Sequence, residues 1–84
     1  MKFCLITFRS VTFAQSAQRI FKRAGIESTL RRTPKGLEER GCGYCLEIQQ
    51  RDAMNALEQL RREKREYGKI YAIIADGKLE EMQV

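Results

Sequence analysis

The order of apolar and polar positions along the chain predicts four strands and two helices. Residues 2–9 and residues 69–75 are apolar on both alternating faces, a pattern typical of strands that are buried on both sides. Residues 26–32 and 44–49 alternate between apolar and polar positions, which predicts strands with one solvent-exposed face. Apolar residues then recur at helical spacing over 10–24, which predicts the first helix.

A second helix is predicted over residues 52–67, again from apolar positions at helical spacing. Gly25 and Gly68 follow the two helical patterns, where a residue in the left-handed conformation commonly ends a helix. Asp76-Gly77 predicts a tight turn, and residues 76–84 as a whole predict a C-terminal tail or a short edge segment.

The resulting order β-α-β-β-α-β predicts an α+β fold with the ferredoxin-like arrangement, because both helical connections would be right-handed crossovers over one sheet. We expect a two-layer sandwich, with a four-stranded, mostly antiparallel sheet and both helices on one face. The 84 residues leave room for one modest core, so we predict a single domain over 1–84 with its core in 2–75. The first and fourth strands are apolar on both faces, so we expect the open sheet face to be covered by the C-terminal tail or by a second copy in a homodimer.

The composition is that of a folded, soluble chain, with 43% hydrophobic and 32% charged residues. No apolar stretch is long enough to span a membrane, and the short apolar run at the start does not resemble a signal peptide, so we expect a cytoplasmic protein without membrane association. An odd number of cysteines, three, argues against a disulfide framework in that compartment. The absence of histidine excludes Ser-His and Cys-His nucleophile pairs within one chain.

The chain carries a formal charge of +5, with sixteen basic residues interleaved with eleven acidic ones. This interleaving favours a solvated surface over a nucleic-acid site. RNA binding nevertheless stays an alternative, because the ferredoxin-like sheet is also an RNA-recognition scaffold on which strand aromatics stack against bases. The third predicted strand has no aromatic residue after Tyr44, which weighs against nucleic acid as a partner.

The segment Cys42-Gly43-Tyr44-Cys45 is the strongest candidate for chemistry. Its Cys-x-x-Cys spacing allows a disulfide, metal binding, or a pair in which Cys45 resolves a bond formed by Cys42. Gly41 and Gly43 would let backbone N–H groups approach a sulfur anion. Cations near the segment would lower the pKa of a thiol and favour its thiolate. These cations are Arg31, Arg32, Lys35 and Arg40.

The three cysteines also allow other interpretations. A structural zinc site needs four ligands, and one Cys-x-x-Cys without histidine supplies two, so we predict neither a metal nor a cofactor. A thioredoxin-like motif opens a helix, whereas this one enters a strand. The alternation of residues 44–49 places Cys45 on the opposite sheet face from Leu46 and Ile48. Cys4 lies in an apolar strand and is predicted to be a core thiol, and in the simplest alternative Cys42 and Cys45 are inert as well.

Three short motifs, in this order and spacing, resemble the selenium/sulfur carrier-like family of short prokaryotic proteins. They are the strand end Thr7-Phe8-Arg9-Ser10, the helix end Arg23-Ala24-Gly25-Ile26, and Arg32-Thr33-Pro34 leading into Gly41-Cys42-Gly43. The resemblance covers roughly residues 2–49.

The resemblance implies that Cys42 with Gly43 is the carrier thiol, which accepts sulfur or selenium as a persulfide or selenopersulfide and passes it on. The partners would be donor and acceptor proteins, and the chain would be a carrier more than a stand-alone enzyme. Cys45 lies outside the part of the motif that carries the resemblance. The residues themselves make it a candidate resolving thiol, and they make Arg32, Lys35 and Arg40 candidates for electrostatic support. The alternative is a non-catalytic ferredoxin-like module for protein interaction or RNA binding, in which the cysteines are incidental.

Overall fold

The structure is a computed structural model that describes residues 2–33 and 43–82. In these residues the chain forms an α+β fold with two α-helices and a five-stranded antiparallel sheet. The elements in chain order are β1 (Phe3–Phe8), α1 (Val11–Arg23), β2 (Thr29–Arg32), β3 (Tyr44–Gln49), α2 (Ala53–Arg62), β4 (Ile70–Ile73) and β5 (Leu79–Glu81). Short 3-10 turns precede α2 and β5.

The strands lie in the order β2-β3-β1-β4-β5, and each neighbouring pair is antiparallel. The central strand β1 pairs with β3 along its whole length, from Phe3 opposite Gln49 to Phe8 opposite Tyr44. The prediction of four strands was wrong by one, because Leu79–Glu81 adds a fifth strand beside β4. This strand is the short edge segment that residues 76–84 predicted as one alternative. With three residues and two exposed glutamates, it has too little alternation to be counted as a strand from sequence.

One face of the sheet packs on both helices and forms the core. The strand residues of this face include Cys4, Ile6 and Phe8 of β1, each at most 3% exposed. The helices add their apolar stripes to the same cluster, and these residues are Ala14, Ala17, Ile20, Phe21, Ala53, Ala56, Leu57 and Leu60. Met82 packs against this core from beyond β5, and its amide donates to the Ile70 carbonyl at 2.8 Å. The apolar stripes that the helical periodicity predicted are therefore confirmed as the helix side of the core.

The opposite face of the sheet carries a second, smaller apolar group. Leu5 lies at its centre and is 4% exposed, and Tyr71 lies beside it in register on β4. Phe3, Ile73 and Leu79 belong to the same face by strand alternation and are half-buried. The C-terminal strand extends the sheet sideways next to β4. A homodimer through this face stays a prediction.

Hydrogen-bonded caps define both ends of α1. At the end of α1, Gly25 adopts a φ of 78°, its amide donates to the Lys22 carbonyl, and the Ile26 amide donates to the Phe21 carbonyl. This pair of bonds is the Schellman motif, so the predicted stop at Gly25 is confirmed. At its other end, α1 begins after Ser10, whose hydroxyl accepts the Phe13 amide at 3.4 Å.

The predicted end of α2 near Tyr67 was wrong, because the helix ends at Arg62. The same motif recurs there with Lys64 in place of glycine, at a φ of 54°. The Lys64 amide donates to the Arg61 carbonyl and the Arg65 amide to the Leu60 carbonyl. Lysine takes the left-handed conformation rarely, so the sequence carried no signal for a stop at this position.

Gly68 serves a different purpose from the predicted helix stop. Its amide donates to the Thr7 carbonyl at 2.7 Å, and a Cβ on residue 68 would lie 2.4 Å from the Thr7 hydroxyl oxygen. The Lys69 amide donates to that hydroxyl at 2.8 Å. Gly68 therefore allows the chain to approach β1 closely as it enters β4.

The predicted tight turn is confirmed. Asp76 and Gly77 both have positive φ, at 67° and 73°, and they join β4 to β5 with Ile73 opposite Leu79. No helix in the described part of the chain is long and apolar enough to cross a membrane.

Candidate functional site

The structure describes some of the predicted site residues and not others. Arg32, Gly43 and Cys45 are described, at the facing ends of β2 and β3. The remaining predicted site residues lie outside the described residues, and these are Lys35, Arg40, Gly41 and Cys42. The geometry below therefore concerns the two strand ends that border residues 34–42.

Thr33 and Gly43 hold these two strand ends together. The Thr33 amide donates a hydrogen bond to the Gly43 carbonyl at 3.1 Å, directly after the pair formed by Arg32 and Tyr44. A Cβ on residue 43 would lie 2.9 Å from the Thr33 hydroxyl oxygen and 3.2 Å from its Cβ. The close approach of the ends of β2 and β3 therefore requires glycine immediately after Cys42.

The Thr33 side chain is a site feature that the sequence did not reveal. Thr33 is 5% exposed, and it is the buried polar residue among those described. Its hydroxyl oxygen is buried and makes no hydrogen bond within residues 2–33 and 43–82 that meets ordinary distance and angle limits. The Thr33 hydroxyl nevertheless acts on the Cys45 thiol, whose pKa it lowers, so this side chain belongs to the environment of that cysteine.

Cys45 lies on the sheet face that points away from the helices, as the alternation predicted. It stands opposite Thr7 on β1 and Arg31 on β2, and it is fully buried. Its Sγ donates a long hydrogen bond of 3.8 Å to the Arg32 carbonyl. The predicted second thiol of the Cys-x-x-Cys segment is thus part of the sheet and is shielded from solvent.

The surroundings of Cys45 raise the pKa of its thiol. Burial is the largest cause, because the thiolate would lose its hydration. The Arg31 guanidinium lowers this pKa and the Glu47 carboxylate raises it. Arg31 and Glu47 form an ion pair with Nε and Oε1 2.8 Å apart, so their effects on Cys45 oppose each other. At neutral pH the Cys45 thiol is therefore protonated.

Of the two neighbouring arginines that the sequence analysis named, Arg31 is the one that faces Cys45. Arg31 is paired with Cys45 across the strands, whereas the Arg32 guanidinium lies 5.8 Å from the Tyr44 ring centroid. Tyr44 packs against the helix-side core, so Arg32 projects toward that face. Strand alternation contained the signal for this choice, because a residue opposite Cys45 must share its face.

Cys4 is a core thiol, as predicted. It is fully buried on the helix side of β1, within the hydrophobic cluster. Burial, with a smaller contribution from the Asp52 carboxylate, raises its pKa from 9.0 to about 11. Both described thiols are therefore poor nucleophiles in the folded chain at neutral pH.

The geometry of this region also bears on metal binding and on RNA binding. Within residues 2–33 and 43–82, no group of three or more cysteine, aspartate or glutamate side chains could hold a metal ion. On the face opposite the helices, β3 presents Cys45, Glu47 and Gln49 and therefore no aromatic side chain. The usual stacking platform for RNA bases is absent from that strand.

A comparison with protein-family models relates this chain to known proteins. The family described as "Putative Se/S carrier protein-like" matches residues 3–72. The chain belongs to this family. No curated protein and no solved structure matches the chain.

The Se/S carrier-like match runs from the start of β1 into β4. It contains all three cysteines, with Cys42 and Cys45 well inside its limits. The turn at Asp76-Gly77 and strand β5 lie beyond it. The resemblance inferred from the first half of the sequence is thus confirmed and extends through both helices.

Proposed function

We propose that this chain carries sulfur or selenium as a persulfide or selenopersulfide on Cys42. The observation that carries the proposal is the match to the Se/S carrier-like family over residues 3–72, which includes the Cys42-Gly43 pair. The partners would be a donor and an acceptor protein, and the chain would move the atom between them.

The state of the other two thiols supports Cys42 as the acceptor. Cys4 and Cys45 are fully buried, and burial raises the pKa of each. An acceptor thiol must be accessible and must form its thiolate easily, which neither of these two does. The predicted electrostatic support from Arg32, Lys35 and Arg40 belongs to the same proposal, as does backbone N–H donation at Gly41 and Gly43.

The loading step conserves electrons. The Cys42 thiolate attacks the terminal sulfur of a donor persulfide, and the S–S bond of the donor breaks. The donor sulfur leaves as a thiolate with the bonding electron pair, and Cys42 becomes the persulfide. A selenium atom in the terminal position would follow the same course to a selenopersulfide.

Cys45 would act as a resolving thiol only after it is uncovered. Its thiolate would attack Sγ of the Cys42 persulfide, forming a Cys42–Cys45 disulfide and releasing sulfide. The terminal sulfur would be reduced by two electrons while the two cysteine sulfurs are oxidised. Because the Cys45 thiol is buried and protonated, we propose that resolution is slow and that carriage to an acceptor competes well with it.

The test is the intact mass of the reduced protein after exposure to a small-molecule persulfide donor. We expect an adduct of one sulfur atom that cyanide releases. It should vanish in Cys42→Ala and remain in Cys4→Ala, the matched control for loss of a buried thiol. Persistence of the adduct in Cys42→Ala, or its absence from the wild type with all thiols reduced, would refute carriage on Cys42.

A second measurement addresses Cys45. The wild-type adduct should decay slowly with release of sulfide, and in Cys45→Ala the slow decay should stop. If instead the wild-type adduct collapses to a disulfide as fast as it forms, the chain releases sulfide and does not carry sulfur. Circular dichroism of each variant checks that the sheet is retained.

We further propose that the fold is ferredoxin-like in its first four strands. Two relationships support this finer assignment. Strands β1 and β2 are joined by α1 but separated in the sheet by β3, and β3 and β4 are joined by α2 but separated by β1. These are two interleaved split βαβ units, and β5 is an addition to them.

A further inference from the structure

The C-terminal half of α1 presents an unusual concentration of positive charge. The helix contains no acidic residue, and Arg19, Lys22 and Arg23 are all exposed. Their spacing of three and four residues places like charges beside each other on the helix surface, which destabilises a helix by a small amount. Arg65, just after α2, lies against the same surface. These four residues are called the α1 basic ridge below.

The cations of the α1 basic ridge differ from the arginines of α2 and from Arg9 in having no acidic partner among the described residues. On α2, Glu58 pairs with Arg61 at 2.9 Å and with Arg62 at 3.6 Å. Arg9 pairs with Glu66 at 3.3 Å. Within residues 2–33 and 43–82, no member of the ridge forms an ion pair. Four cations that are unpaired in this part of the chain therefore share one surface, whereas Arg9, Arg61 and Arg62 are each paired with a glutamate.

Helix stability explains only part of the arrangement. Lys22 and Arg23 lie in the last turn of α1, where cations interact favourably with the helix dipole. Arg19 lies before the last turn, and Arg65 belongs to another segment. Neither gains from the dipole of α1, and each adds repulsion to the other cations. Their convergence on one surface is better explained by an external anion.

The ridge borders an open groove of about 480 Å³. Besides the four cations, Ser16 and Ile20 line it, so its floor is a helix surface with one hydroxyl and one buried aliphatic side chain. Arg19 and Lys22 also border a neighbouring groove, whose lining continues through Glu27, Ser28 and Thr29. Arg19 and Lys22 therefore lie between two open grooves, and Arg23 and Arg65 border the first of them.

The chemistry of the groove favours carboxylates on a protein. Neither depression is lined by an aromatic residue, so nucleotide bases would have nothing to stack on. Guanidinium groups bind carboxylates through paired N–H donors, and three of the four cations are arginines. We propose that the α1 basic ridge docks an acidic protein surface. The ridge lies on the helix layer, opposite the sheet face that carries Cys45, so this inference does not depend on sulfur chemistry.

The test compares two double variants that remove the same charge from the same residue type. Arg19→Gln with Arg23→Gln alters the ridge, and Arg61→Gln with Arg62→Gln alters the paired arginines of α2. The probe is a fluorescently labelled decaglutamate peptide, followed by anisotropy at low ionic strength. A labelled decauridylate is measured in parallel.

We expect decaglutamate to bind the ridge variant about tenfold more weakly than the wild type, equivalent to about 1.4 kcal/mol. The α2 variant should lose less than about twofold, because its arginines are already paired with Glu58. Added salt should weaken wild-type binding, since exposed charges are screened. Thermal unfolding should show that the ridge variant is about as stable as the wild type, because the repulsions removed offset the lost interaction of Arg23 with the helix dipole.

Three results would overturn the proposal. Equal losses in both variants would mean that only net charge matters. No measurable binding of decaglutamate to the wild type at low salt would mean that the ridge does not recognise carboxylates. Tighter binding of decauridylate, lost in the ridge variant, would assign the surface to nucleic acid.

Discussion

Thr33 and Gly43 are in contact at the two chain positions that border residues 34–42, with a backbone hydrogen bond of 3.1 Å between them. The Thr33 hydroxyl oxygen occupies the space 2.9 Å from where a side chain on residue 43 would begin. This contact gives a steric reason for the glycine of the Cys-Gly pair, separate from any part it plays in sulfur chemistry.

Gly43→Ala should destabilise the fold by about 2 kcal/mol, because an inserted methyl group forces Thr33 and the strand end apart. Urea unfolding followed by circular dichroism measures this loss. In a Thr33→Ala background the same substitution should cost less than half as much, since the nearest atom has been removed. Equal costs in both backgrounds would show that the two residues are not coupled.

The raised pKa of Cys4 predicts a loss of stability in alkaline solution. The folded pKa is about 11 against 9.0 for an ordinary cysteine, so above pH 9 the unfolded chain loses this proton first. Fewer protons on the unfolded state mean that stability falls as pH rises, and here the fall extends from pH 9 to about pH 11. Below pH 9 the contribution is fully present, and its total is about 2–3 kcal/mol.

The measurement compares urea unfolding below pH 9 and near pH 11 for the wild type and Cys4→Ala. The variant is less stable at both values because it leaves a cavity, but its stability should fall less between them. Identical pH dependence in the two proteins would show that Cys4 titrates normally in the fold.

The ion pair beside Cys45 predicts a change in thiol reactivity. Glu47→Gln removes the carboxylate that raises the Cys45 pKa and releases Arg31, which lowers it. Alkylation of Cys45 by iodoacetamide should therefore become a few-fold faster at a fixed pH. Peptide mapping by mass spectrometry in a Cys42→Ala background follows this thiol separately from Cys4.

Glu58→Gln on α2 is the control for this comparison, because it removes an equal charge that does not act on Cys45. It should leave the rate unchanged. Arg31→Gln should slow the reaction. An accelerated rate in Arg31→Gln would contradict the arrangement of charges described here.

Lys64 predicts a stabilising substitution. Its φ of 54° is unfavourable for a residue with a Cβ and natural for glycine, which lacks one. Lys64→Gly should therefore raise the free energy of unfolding by about 1 kcal/mol relative to Lys64→Ala, which removes the same charge without relieving the backbone. A Lys64→Gly protein no more stable than Lys64→Ala would show that the cap is formed differently.

The sequence predicted those parts of the fold that repeat over many residues. The limits of β3 at Tyr44 and Gln49 were predicted correctly, because strict alternation over six residues has one interpretation. Gly25 was predicted as a helix stop because its lack of a Cβ is a local property. Features that depend on a partner distant in sequence were missed, among them the contact of Gly68 with Thr7, 61 positions earlier in the numbering.

The candidate site was predictable in part for the same reason. Alternation placed Cys45 on the correct face, but its complete burial depends on what packs around it, which alternation does not reveal. Arg31 and Arg32 were both predicted to lie near the segment, and only the pairing of β2 with β3 shows which of them faces Cys45. Thr33 carries no local signal, since a threonine beside proline is ordinary in a loop.

The two outermost strands bear on how this protein avoids aggregation. Strand β2 has four residues and ends in Arg31-Arg32, and β5 has three and ends in Glu80-Glu81. Short, charged edge strands resist the addition of strands from other molecules. The new pair would form few hydrogen bonds and would bring like charges together. The charges of the two edge strands have opposite signs, however. Pairing of β2 of one molecule with β5 of the next would therefore not bring like charges together. We expect such head-to-tail assembly first in crowded solutions of low ionic strength.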